Sequence, residues 1–163
     1  MGFIDTAPGT TLPAFYNLVH AVGANCPNMR DDVKLVQYML IALYEKGVAE
    51  GMTKPAGELA VTGICDSVTM NWILKFQMDA AKAHPGKIAV DNRIDRIRQK
   101  NFIGSISHTV YTLAALNASL LKLNPEAFVG LPAVIPLENP LSVPPPSWDV
   151  VYQPQVVPAS GGA

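Results

Sequence analysis

The chain has 163 residues, 49% of them apolar, with a formal net charge of −1, enough for one domain with a real core plus flanking segments. Without a basic excess to neutralise phosphates, nucleic acid is excluded as the main partner. No apolar run approaches the roughly 20 residues needed to span a bilayer, and Met1-Gly2-Phe3-Ile4-Asp5 lacks the basic start of a secretory signal.

In chain order, residues 1–21 read as an N-terminal arm, because Pro8, Gly9 and Pro13 interrupt anything longer than a brief helical patch at Ala14 to His20. The loop Val22 to Asn28 ends in a residue suited to cap a helix, with Asp31 three positions on as its capping-box partner. Val33, Val36, Leu40, Leu43 and Tyr44 then fall on one stripe, which predicts an amphipathic helix ending at Gly47. The carboxylates Asp31 and Asp32 suit the positive end of that helix.

A polar loop with Gly51, Pro55 and Gly57 leads to the stretch around which the chain is organised, Leu59 to Gln77. Gly63 can take positive φ at a tight turn, and Asp66 can accept from the free N–H groups that open the next helix. Thr69 is placed to brace the turn from inside, while Ile73 and Phe76 share the buried face. His84-Pro85-Gly86 stops this helix. A second turn is expected at Asp91-Asn92, followed by an irregular stretch from 96 to 104. A third helix is expected from about Ser107, with Val110, Leu113, Leu116, Leu120 and Leu121 inward, ending at Asn124-Pro125.

Residues 125–163 differ in character, holding nine of the fourteen prolines and no Lys or Arg. Helix is not expected there, yet Phe128, Leu131, Ile135, Trp148 and Tyr152 recur among many valines and leucines. Disordered tails are poor in such residues, so this reads as an extended Pro-rich arm that is buried against its own domain or a neighbouring copy. At about 3.1 Å per residue it reaches on the order of 100 Å.

Catalytic patterns are not evident. His20, His84 and His108 are dispersed, and GxSxG, P-loop and GxGxxG elements are missing. Cys65 near a helix start could be an activated thiol, but no His lies near it in sequence, and Cys26 and Cys65 pair only if their Cα atoms come within about 7 Å. The chain is therefore read as a non-enzyme without metal or cofactor.

Asp32-Val33, Val36-Gln37, Leu40, Leu59-x-Val61-x-Gly63, Thr69, Ile73 and Phe76-Gln77 together form a pattern that resembles the peptidoglycan-binding-domain-like family of small three-helix modules. In that family a DVxxVQxxL-type helix precedes a DGxxGxxTxxAVxxFQ turn and helix. Val90 to Asp95 and Thr109 to Asn117 resemble its second turn and closing helix. Thr62, Asp66, Ser67 and Asn92 depart from the pattern within turns, and Trp72 stands where the family has a small residue, so its indole must be exposed or must rearrange the packing.

The resemblance implies a mainly α fold: a compact three-helix domain over residues 22–124, between the arms at 1–21 and 125–163. It implies a non-catalytic module that recognises the glycan or stem peptide of peptidoglycan through its two turns. Asn28, Arg30, Asp66, Ser67, Asp91, Asn92 and Arg93 lie in or beside those turns and can supply the neutral and charged groups that sugars and peptides need. Gln37 and Gln77 are read as satisfying loop backbone. The alternative is an assembly subunit of a phage, contractile injection system or other bacterial assembly, whose Pro-rich arm docks on a neighbour. Either role places the chain, once made in the cytoplasm, at the cell envelope or in a virion or secretion assembly.

Overall fold

The computed structural model describes residues 2–105 and 107–135. Its elements are β1 (Phe3–Thr6), β2 (Ala14–Asn17), β3 (Val22–Gly23), α1 (Arg30–Gly47), α2 (Ser67–Ala83), β4 (Arg93–Ile94), α3 (Thr112–Leu123) and α4 (Pro125–Gly130), with short 3-10 turns at Val48–Glu50 and Leu131–Ala133. The described chain is mainly helical.

The three long helices form because their apolar positions share a face. Val33, Val36, Leu40 and Leu43 of α1, Ile73 and Phe76 of α2, and Leu113, Leu116 and Leu120 of α3 are buried in one cluster. Leu35 and Met39 of α1 are buried as well. A second layer accounts for this: the start of the chain lies across α1, where a Cβ on Gly2 would come within 2.3 Å of a Leu35 methyl.

That layer corrects the expectation of a helical patch at Ala14 to His20. β2 is a strand paired antiparallel with β1 in the register Phe3 to Asn17 through Thr6 to Ala14. All four residues of β2 are buried. A strand covered on both faces shows no polar alternation, so Ala14-Phe15-Tyr16 carries neither period. The described part of the segment, from residue 2 to 21, contributes to the core, with Phe15, Tyr16 and Leu18 fully buried.

Three further expectations change. Asn28 does not cap α1: its N-cap is Met29, without a side-chain hydrogen bond, and Asn28 has turned to Gly23 instead. The helix expected from about Ser107 starts at Thr112, because the preceding backbone is used elsewhere: the Val110 amide donates to Lys87 and that of Tyr111 to Phe102. A helix also follows Asn124. Pro125 at the first helical position gives up an N–H that has no helical partner anyway, and Asn124 caps the turn by accepting from the Ala127 amide at 3.3 Å. Phe128, Leu131 and Ile135 enter the core. The Pro-rich arm beyond them, including Pro144-Pro145-Pro146, lies outside the described residues.

Trp72 is buried, at 2% exposure. The loop after α1 folds over it, so that its indole donates to the Gly57 carbonyl at 3.2 Å and its ring meets Tyr44 edge-on at 5.7 Å. The large side chain is accommodated by loop 48–58.

Because the N-terminal hairpin is part of the interior, Phe15→Ala is expected to destabilise the protein by about 3–5 kcal/mol in urea titrations, as for other buried Phe truncations. A hairpin that merely lay on the surface would leave the midpoint nearly unchanged.

Candidate functional site

Two turns precede helices in this fold, and each is held by a carboxamide from the helix before it. In the first, Gln37 accepts from the amides of Thr62 and Gly63, both at 2.9 Å, and donates to the Ile64 carbonyl and Thr69 hydroxyl, both at 3.0 Å. Asp66 then caps α2, accepting from the Thr69 amide at 2.8 Å. That bond and the one from the Thr69 hydroxyl hold the Asp66 carboxyl below the usual carboxylate range.

Gln77 repeats the arrangement. It accepts from the amides of Asp91 at 3.2 Å and Asn92 at 2.7 Å, and donates to the Arg93 carbonyl at 2.8 Å and the Thr112 hydroxyl at 3.0 Å. A third carboxamide, Asn117, grips β2 from α3: it accepts from the Tyr16 amide at 2.7 Å and donates to the Tyr16 carbonyl at 2.9 Å. The roles of Gln37 and Gln77 follow the reading of the sequence. Asn117 was not anticipated, although the signal is present: Val33-x-x-Val36-Gln37, Ile73-x-x-Phe76-Gln77 and Leu113-x-x-Leu116-Asn117 recur at equal intervals.

Both turns converge on the loop that begins at Gly23. Its carbonyl and amide are clipped by the Asn28 side chain at 3.0 and 2.7 Å. Beside it the Ala24 amide donates to the Asn92 carbonyl at 2.9 Å. The approach is so close that a Cβ on Gly23, where φ is 124°, would lie 2.2 Å from the Asn92 carbonyl oxygen. From the first turn the Cys65 thiol lies against the Gly23 backbone. Burial pushes the Cys26 and Cys65 thiols up from their ordinary range, which opposes a reactive thiolate at either position.

The sequence-predicted residues are thus partly gathered. Asn28, Asn92 and Arg93 surround Gly23. Arg30 packs beside the first turn, where a Cβ on Gly63 would meet its Cγ at 2.6 Å. Asp66 is the helix cap, and Ser67 is the exposed first residue of α2. Asp91 braces its own turn, accepting from the Arg93 amide at 3.0 Å. Asn92 holds a left-handed φ of 59°, and its side-chain oxygen is buried without a hydrogen-bond partner among the described residues.

Beside β4 opens a cleft of about 470 Å³ whose walls include His20, Arg93, Asp95, Arg96, Arg98 and Tyr111. A recess of about 100 Å³ lined by Asp91 and Arg93 adjoins it. Only Arg93 and Asp91 of the predicted residues reach these hollows. The cue for Arg96 and Arg98 was the run Arg96-Ile97-Arg98, in which two arginines flank an apolar residue. Among the described residues, no group of three His, Cys, Asp or Glu side chains could hold a metal ion, and no helix is long and apolar enough to cross a membrane.

Gln77→Leu leaves the Asp91 and Asn92 amides without their acceptor and is expected to cost about 1–3 kcal/mol in denaturant unfolding. It should also speed hydrogen exchange at those two amides. Unchanged exchange there would show that the clamp does not hold the turn. No protein-family model, curated protein or solved structure matches the chain.

Proposed function

We propose that this protein is a non-catalytic binding module that recognises the glycan or stem peptide of peptidoglycan through its two turns. The observation that carries this reading is the convergence of both carboxamide-clamped turns on the Gly23 loop. Rigid turns present backbone and side-chain hydrogen-bonding groups without an ordering cost at the moment of binding, which favours recognition of polar polymers. The likeness of the Val36-Gln37, Gly63, Thr69 and Phe76-Gln77 pattern to peptidoglycan-binding-domain-like modules supplies the ligand class. Arg30 and Arg93, one beside each turn, are the charged contacts of this reading, with Asn28, Asp66, Ser67, Asp91 and Asn92 as its polar ones.

Purified sacculi mixed with the protein test it directly. Co-sedimentation at low and moderate salt is expected, weakened several-fold in Arg30→Ala and Arg93→Ala. A protein that stays in the supernatant at both salt concentrations has no such role.

A second reading, an assembly subunit, is favoured by the apolar, Pro-rich composition of the segment that follows Ile135, whose own side chain is seated in the core. An apolar, Pro-rich segment whose root is anchored in the core is suited to docking on a neighbouring subunit. Light scattering on the full chain and on a chain ending at Ile135 separates the two. The assembly reading expects a higher mass for the full chain alone, and equal monomeric masses would remove it.

A further inference from the structure

The cleft beside β4 stands apart from the turn surfaces in its chemistry. Its volume of about 470 Å³ is of the size that small-molecule sites use, roughly 300–1,000 Å³. Three arginines line it, Arg93, Arg96 and Arg98, against one acidic residue among the described lining residues, Asp95. That carboxylate is already committed, since Arg93 donates to it at 3.0 Å. Arg96 sits over the Phe3 ring, 5.1 Å from its centroid, a cation–π contact that takes up no hydrogen-bond acceptor. Arg98 is exposed and makes no ion pair among the described residues.

The backbone that carries Arg96 and Arg98 is held in place even though it belongs to no helix or strand. Ile97, between Arg96 and Arg98, is buried, and Asn17 of β2 grips it in both senses: the Ile97 amide donates to the Asn17 side chain at 2.9 Å, and that side chain donates to the Ile97 carbonyl at 3.0 Å. Ile97 goes inward and its two neighbours turn to the same cleft. Two like charges therefore line one cleft on a fixed frame, with no ion pair to either among the described residues, an arrangement that a bound anion relieves. Tyr111 also lines the cleft.

We propose that this cleft is a binding site for an oxyanion-bearing ligand, a carboxylate or a phosphate, held by Arg96 and Arg98. Guanidinium groups match both anions by paired N–H donation, so the shared chemistry defines the site. A neutral ligand would leave the two charges as they are. The cleft shares Arg93 with the second turn, but its assignment to Arg96 and Arg98 does not rest on wall binding.

Isotope-labelled full-length protein titrated with pyrophosphate or with citrate, against sodium chloride of matched ionic strength, tests this by the arginine side-chain and Ile97 amide resonances. Saturable shifts are expected with at least one probe, and Arg96→Gln with Arg98→Gln should weaken binding at least tenfold. Lys46→Gln, on exposed α1 surface, should leave it unchanged. Binding of pyrophosphate alone assigns a phosphate ligand, citrate alone a carboxylate ligand, and both a general oxyanion site. The single variant Arg98→Gln, at an exposed position, stands in should the double variant fail to fold. Shifts no larger than those from chloride, or wild-type affinity in a folded variant, would overturn the proposal.

Discussion

The fold depends on three buried carboxamides that do for turn and strand backbone what a helix does for its own. A primary amide carries an acceptor and two donors on one planar group, so it can satisfy a turn's N–H and C=O together. A carboxylate would offer no donor, and a hydroxyl would not reach both sides of the turn. Gln37 and Gln77 each hold the turn that leads toward the next helix, and Asn117 holds the N-terminal hairpin. The last clamp closes the chain upon itself, coupling the helix at 112–123 to a strand at the very start. Buried backbone that would otherwise be orphaned thereby acquires partners, and each turn is tied to a core helix.

This explains where polar chemistry can be displayed on so small a core. The first turn is fastened by Gln37 and the Asp66 cap, and the second by Gln77 and Asp91. Between them the Gly23 loop can approach only because it lacks a side chain at the contact. The same economy recurs with Asn17, whose grip on Ile97 turns an irregular stretch into a fixed wall bearing Arg96 and Arg98. Side-chain amides thus supply order where neither helix nor sheet extends.

Much of this architecture was legible. The stripe on α1, the Gly63 turn, the Asp66 cap and the His84-Pro85-Gly86 stop are local features, each set by neighbours within a few residues, and each appears where the residues place it. The N-terminal hairpin was not legible, because full burial of β2 on both faces erases the alternation that marks a strand. Asn28 read as a cap because its position permits one, but Gly23 offered a donor and an acceptor together, and a clip that satisfies both was the better arrangement. Trp72 read as a misfit because nothing nearby in sequence announces that loop 48–58 would cover it.

The sequence by itself determined the three long helices, the two turns and the buried faces of those helices, since periodicity, capping and chain reversal depend on spacings of a few positions. The tertiary structure decided which of those elements meet. It placed Asn117 on Tyr16, Asn17 on Ile97 and both turns on Gly23. These contacts join residues far apart in the chain, and their hydrogen bonds are satisfied only once the core has brought the partners within reach. For that reason the cleft walled by His20, Arg96, Arg98 and Tyr111 belongs to the fold and not to any one stretch of sequence.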